Sequence, residues 1–79
     1  MLTARWIRPV RIGDAWIVSP LEAHNFMMTE WPNSKSLKFA AAHLSILAAL
    51  DGRQSPEDAR GQFVNALKDA KLDYRAGLQ

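Results

Sequence analysis

Trp6-Ile7-Arg8-Pro9-Val10-Arg11-Ile12-Gly13-Asp14-Ala15-Trp16-Ile17-Val18-Ser19-Pro20-Leu21-Glu22 holds the two signals that set the fold class. Its first part is rich in β-branched and aromatic residues on either side of Gly13-Asp14, a two-residue turn with glycine first, and this predicts a β-hairpin. Pairing Ile12 with Ala15 sets Val10 across from Ile17. Trp6, Val10, Ile12, Ala15 and Ile17 then share a core face interrupted only by Arg8, because side chains alternate along a strand. The other face carries Ile7, Pro9, Arg11, Trp16 and Val18. There Arg11 falls opposite Trp16, close enough for a cation–π contact of about 0.5–1 kcal/mol. Pro9 has no N–H for a ladder, so its strand is an edge or ends there. The second part, Ser19-Pro20-Leu21-Glu22, is a helix start: a hydroxyl acceptor at the N-cap, proline where a missing donor costs nothing, and Glu at N3.

Outward from this stretch, three helices are expected, over about 20–31, 36–51 and 56–71. On the first, Leu21, Ala23, His24, Met27, Met28 and Trp31 fall on one arc, with Glu22, Asn25 and Thr29 opposite. Phe26 stands on that polar side and is expected to be exposed. Pro32 stops the helix, and Asn33-Ser34-Lys35-Ser36 reads as a polar loop supplying the next cap. Leu37–Leu50 is apolar nearly all round, with only Lys38 and Ser45 making a narrow polar strip, which predicts a central, buried helix. Its alanines leave room for close neighbours, and Asp51-Gly52 ends it. Ser55-Pro56-Glu57-Asp58 starts the third helix, whose core stripe is Ala59, Phe63, Ala66, Leu67 and Ala70. Residues 73–79 show no period and are expected to form a partly frayed tail. The reading is one α+β domain over 1–79, an N-terminal antiparallel hairpin at about 6–18 followed by three helices.

Seventy-nine residues leave no room for a second domain, and a chain this short hides only about 60% of the surface its unfolded form exposes. No cysteine is present, so disulfides, thiolate metal sites and cysteine nucleophiles are excluded. Ten basic and eight acidic side chains give a net charge of +2, weak grounds for nucleic-acid binding. No apolar run approaches the ~18 residues of a membrane span, and the first residues lack a secretory h-region. The chain is therefore expected to be complete and cytoplasmic, with no membrane partner.

The order of hairpin, Pro9-Val10, Glu22-Ala23, Trp31-Pro32, Ala49-Leu50-Asp51-Gly52, Ala59-Arg60, Phe63 and Ala70 resembles domain of unknown function family 982, small proteobacterial proteins. The resemblance covers about residues 6–72. It implies a compact hairpin-plus-helices fold and contributes no chemistry. Where relatives often carry glycine after Trp-Pro and cysteine in the second helix, this chain has Ser or Lys, and Ser45 or Ile46, which argues against a family-wide role for such a thiol.

His24 and His43 lie on apolar arcs of neighbouring helices, so they could meet across the core. A metal or acid–base pair there would also need a carboxylate such as Glu30 or Asp51, and no His-x3-His or Glu-x-x-His spacing exists. Serines 19, 34, 36 and 55 stand at expected helix starts, where capping uses their hydroxyls. No cofactor, metal site or catalytic residue is expected. The expected role is a non-catalytic interaction or regulatory module, either a homodimer or bound to another protein, acting through Ile7, Arg11, Trp16 and Phe26 and an open hairpin edge. The alternative is a nucleic-acid-binding module using Arg5, Arg8 and Arg11. More remote is an enzyme or metal site at His24 and His43.

Overall fold

Gly13 adopts φ +58° while Asp14 keeps an ordinary negative φ, as a glycine-first two-residue turn requires. On this turn β1 (Val10–Ile12) and β2 (Ala15–Ile17) pair antiparallel, with Val10 opposite Ile17, Arg11 opposite Trp16 and Ile12 opposite Ala15. The register is the one the alternation predicts. The computed structural model describes residues 5–32 and 35–76; the Asn33-Ser34 part of the expected loop and residues 77–79 of the expected tail lie outside it.

Each helix begins on a serine. Ser19, Ser36 and Ser55 accept the backbone N–H of Glu22, Phe39 and Asp58 and open α1 (Pro20–Thr29), α2 (Leu37–Leu50) and α3 (Pro56–Asp69). At α1 the Glu22 carboxylate also reaches back to the Val18 N–H at 3.1 Å, closing the box one residue before the cap and tying helix start to hairpin end. This helix stops two residues before the expected boundary, at the Glu30 cap. Two helices end the same way. After α2, Gly52 (φ +80°) donates to Ala49 and Arg53 to Ala48; after α3, Lys71 (φ +60°) donates to Lys68 and Leu72 to Leu67. These paired bonds satisfy the last carbonyls and turn the chain sharply.

The turn at Lys71 corrects the frayed-tail expectation. It sends the chain back along the sheet, where β3 (Tyr74–Arg75) pairs antiparallel with the free edge of β1, Arg11 opposite Arg75 and Ile12 opposite Tyr74. The sheet order is β2-β1-β3, so the strand after Pro9 is central, and its ladder starts one residue beyond the proline. Among the described residues the edges of the sheet are therefore β2 and the two-residue β3.

Val10, Met27, Ile46, Phe63 and Leu67 are the largest fully buried side chains, drawing the sheet and all three helices into one core. Trp6 locks sheet to helix. Its backbone N–H donates to Val18, its indole N–H donates to the Pro56 carbonyl at 2.7 Å, and its ring lies 5.7 Å from that of Phe63. Beside it, Glu57 accepts the Ile7 N–H, and the Arg60 guanidinium donates to the carbonyls of Arg8 and Ala76.

The expectation that α2 is buried all round needs correction as well. The helix packs against both α1 and α3 through Phe39, Ala42 and Ile46, yet its opposite side faces solvent, with Leu37 88% and Leu44 67% exposed. The described chain offers three helices and one small sheet, and none of them lies over that side.

A lysine at the left-handed position after α3 carries a steric cost that glycine avoids. Replacing Lys71 by glycine should therefore stabilise the fold by about 0.5–1 kcal/mol, a rise in Tm of roughly 2–8 °C for a domain this size. Thermal unfolding by circular dichroism checks this.

Candidate functional site

Three surfaces are candidates for function. The first is the outer face of the sheet. Trp16 on β2, Arg11 on β1 and Arg75 on β3 stand in one cross-strand row. The Arg11 guanidinium carbon lies 5.4 Å from the Trp16 ring centroid, and its Nε donates to the Gly13 carbonyl at 2.9 Å. Trp16 remains 57% exposed, so the pair covers the strand and leaves the indole available. Arg75 has the same sign as Arg11 directly opposite, an arrangement that disfavours the pairing unless an anion or solvent screens it. Arg5 and Arg8 are exposed but lie before β1, outside this row. Arg75 was missed because a two-residue strand has no periodicity to read.

The second is the histidine pair. His24 of α1 and His43 of α2 do meet, their rings stacked 5.3 Å apart at 24°, with the Phe39 ring 6.2 Å from His43 on its own helix. The Nε2 of His43 is buried and has no hydrogen-bond partner among the described residues. Burial, with lesser contributions from His24 and Lys35, holds the His43 imidazole below its usual 6.5. Among the described residues no third His, Asp or Glu joins the pair to make a metal-ligand group. A stacked pair with one dry nitrogen acts as a polar seam between α1 and α2.

The third is the uncovered side of α2. At 100° per residue, Ala40, Leu44, Leu37, Ala48 and Ala41 occupy its outward arc, and no charged residue falls among them. On α1, Met28 and Leu21, exposed at 43% and 40%, lie one turn either side of His24, the residue of α1 that meets α2. Phe26 does not belong to any of these surfaces. The structure half-buries it, with edge-on rings at 6.0 Å from Trp31 and 6.3 Å from Phe63. Its side of α1 faces α3, so the expected exposed aromatic is a core residue. Ile7 is 82% exposed, while its backbone is held by Glu57.

The family described as Protein of unknown function (DUF982) matches over residues 8–74, from the residue before Pro9 to the first residue of β3. The chain belongs to the DUF982 family. No curated protein and no solved structure matches it. The DUF982 match therefore spans all three helices and most of the sheet, the elements that build the three surfaces above. Among the described residues no helix is long and apolar enough to cross a membrane.

The lowered basicity of His43 has a testable sign. The unfolded chain takes up a proton near pH 6.5 that the folded chain resists, so stability is complete above that pH and declines as pH falls toward the folded-state value. Thermal unfolding between about pH 7.5 and about pH 5, above the range where carboxylates titrate, should show Tm falling on acidification. The fall should shrink in His43→Gln.

Proposed function

We propose that this DUF982 domain is a non-catalytic interaction module whose working surface is the uncovered face of α2. One observation carries the reading: an outward arc of Leu37, Ala40, Ala41, Leu44 and Ala48 on a helix of 14 residues, without a charge. Single exposed apolar residues are ordinary, but a surface helix normally turns polar side chains to solvent, and a contiguous apolar arc is what contact surfaces carry. Covering Leu37 and Leu44 would contribute about 1.5–3 kcal/mol each. The non-catalytic part is supported by how the reactive groups are used. The hydroxyls of Ser19, Ser36 and Ser55 are engaged as caps, and the two histidines stack on each other.

A photo-reactive amino acid at position 44, introduced in cells that make the protein, tests this. We expect adducts of discrete protein mass at 44, and none at position 68 on the solvent side of α3. Equal labelling at both positions, or none at either, would remove the reading.

A second reading, nucleic-acid binding, is favoured by the row Trp16, Arg11 and Arg75, an aromatic beside two cations on an open sheet face. It replaces Arg5 and Arg8 by Arg75. Fluorescence anisotropy with a single-stranded oligonucleotide should then show binding that weakens steeply with salt and is lost in Arg75→Glu. Absence of binding at low salt would end it.

A further inference from the structure

The uncovered face of α2 is complementary to itself when reversed. Leu37, Ala41, Leu44 and Ala48 follow one another at intervals of four, three and four residues, the spacing of a two-helix seam. Turning a second copy end for end about the midpoint between Ala42 and His43 sets Leu37 against Ala48 and Ala41 against Leu44. Every layer then holds one large and one small side chain, the condition for close interdigitation. A parallel copy would stack leucine on leucine and alanine on alanine, alternately crowding and hollowing the seam.

Charge points the same way. Within one copy α2 has no acid in its first turn and no base in its last, while Lys35 and Lys38 stand at its start and Asp51 caps its end. That is the reverse of what the helix dipole favours. In the end-for-end arrangement Lys35, whose ammonium lies 5.6 Å from the Phe39 ring centroid within its own copy, comes within one residue of the level of Asp51 of the second copy, and each basic end meets an acidic helix terminus. Among the described residues the Asp51 carboxylate is held only by Arg53, in an ion pair whose side chains are 67% and 64% exposed, so re-pairing costs little.

Resting on the reading of α2 as a contact face, we infer that its occupant is a second copy of this chain, in an antiparallel α2–α2 homodimer. The seam is about 21 Å long, 14 residues at 1.5 Å each. A seam one helix long falls in the small interface class, below about 1,200 Å², and a weak, reversible dimer is the expected outcome.

The absence of cysteine makes introduced thiols clean reporters of direction. Sedimentation equilibrium from about 1 µM to about 1 mM should show a reversible monomer–dimer equilibrium, with Leu44→Asp raising Kd at least about tenfold while the far-UV spectrum is unchanged. Oxidising a mixture of Leu37→Cys and Ala48→Cys should give the mixed disulfide, with little self-linking of either variant alone. Should Leu44→Asp unfold, charge exchange supplies the readout: Lys35→Glu and Asp51→Lys each weaken the dimer, and the double variant regains it. A monomer throughout the range, a dimer indifferent to both sets of substitutions, or reporters that link each to itself would overturn the inference. A strict monomer whose position 44 still labels another protein overturns the homodimer and leaves the contact face standing. A monomer with no label at position 44 overturns both.

Discussion

Trp6 is the side chain on which the arrangement of sheet and helices depends. It lies before Pro9, outside the regular ladder, yet its backbone N–H bonds to Val18 and so carries the hairpin's pairing past the proline. Its indole meanwhile spans to the carbonyl of the first residue of α3 and its ring packs on Phe63. One residue thus sets the distance between sheet and helix, and Ile7–Glu57 and Arg8–Arg60 repeat the tie on either side of the next residues. In a chain too short for a deep core, such side chain to backbone bonds supply orientation that packing alone leaves loose.

Much of this was legible. Gly13-Asp14 between two β-branched runs admits one register, and slipping it by a residue would turn Val10 and Ile17 to solvent, so the pairing could be read residue by residue. Three Ser-led caps and Gly52 gave the helix starts and one of the ends. Two helical wheels allowed His24 and His43 to meet, and the stack at 5.3 Å realises that possibility. What stayed hidden depended on neighbours distant in sequence. Phe26 stands on the polar side of α1 when the helix is viewed alone, but α3 packs against that side, so its wheel position misleads. Lys71 in a left-handed conformation carries no local signal, since glycine is the residue that advertises such a turn. Without that turn, Tyr74 and Arg75 have nothing to mark them as a strand, and Arg75 could not be placed beside Arg11.

The face of α2 shows the limit of an all-round apolar pattern. Such a pattern says that the helix is covered on every side without saying that its own chain does the covering. Here α1 and α3 cover one side, through Phe39, Ala42 and Ile46, and the outward side carries leucine and alanine in their place. The alanines distribute accordingly: Ala42 lies at the internal contact, Ala40 and Ala41 on the outside. The histidine stack, by contrast, belongs to the internal join of α1 and α2, where two flat, weakly polar rings fill a gap that aliphatic side chains leave to either side.

The placement of β3 also bears on how the protein is made. Ile12 and its partner Tyr74 are separated by about 62 residues, so at typical synthesis rates of 5–20 residues per second β1 exists for roughly 3–12 s before its second neighbour has been polymerised. During that interval the strand destined for the middle of the sheet is a bare edge, with Ile12 beside unpaired backbone groups. Chaperone capture or collision with another nascent chain on the same message would meet this edge first, until Tyr74 and Arg75 arrive to close it.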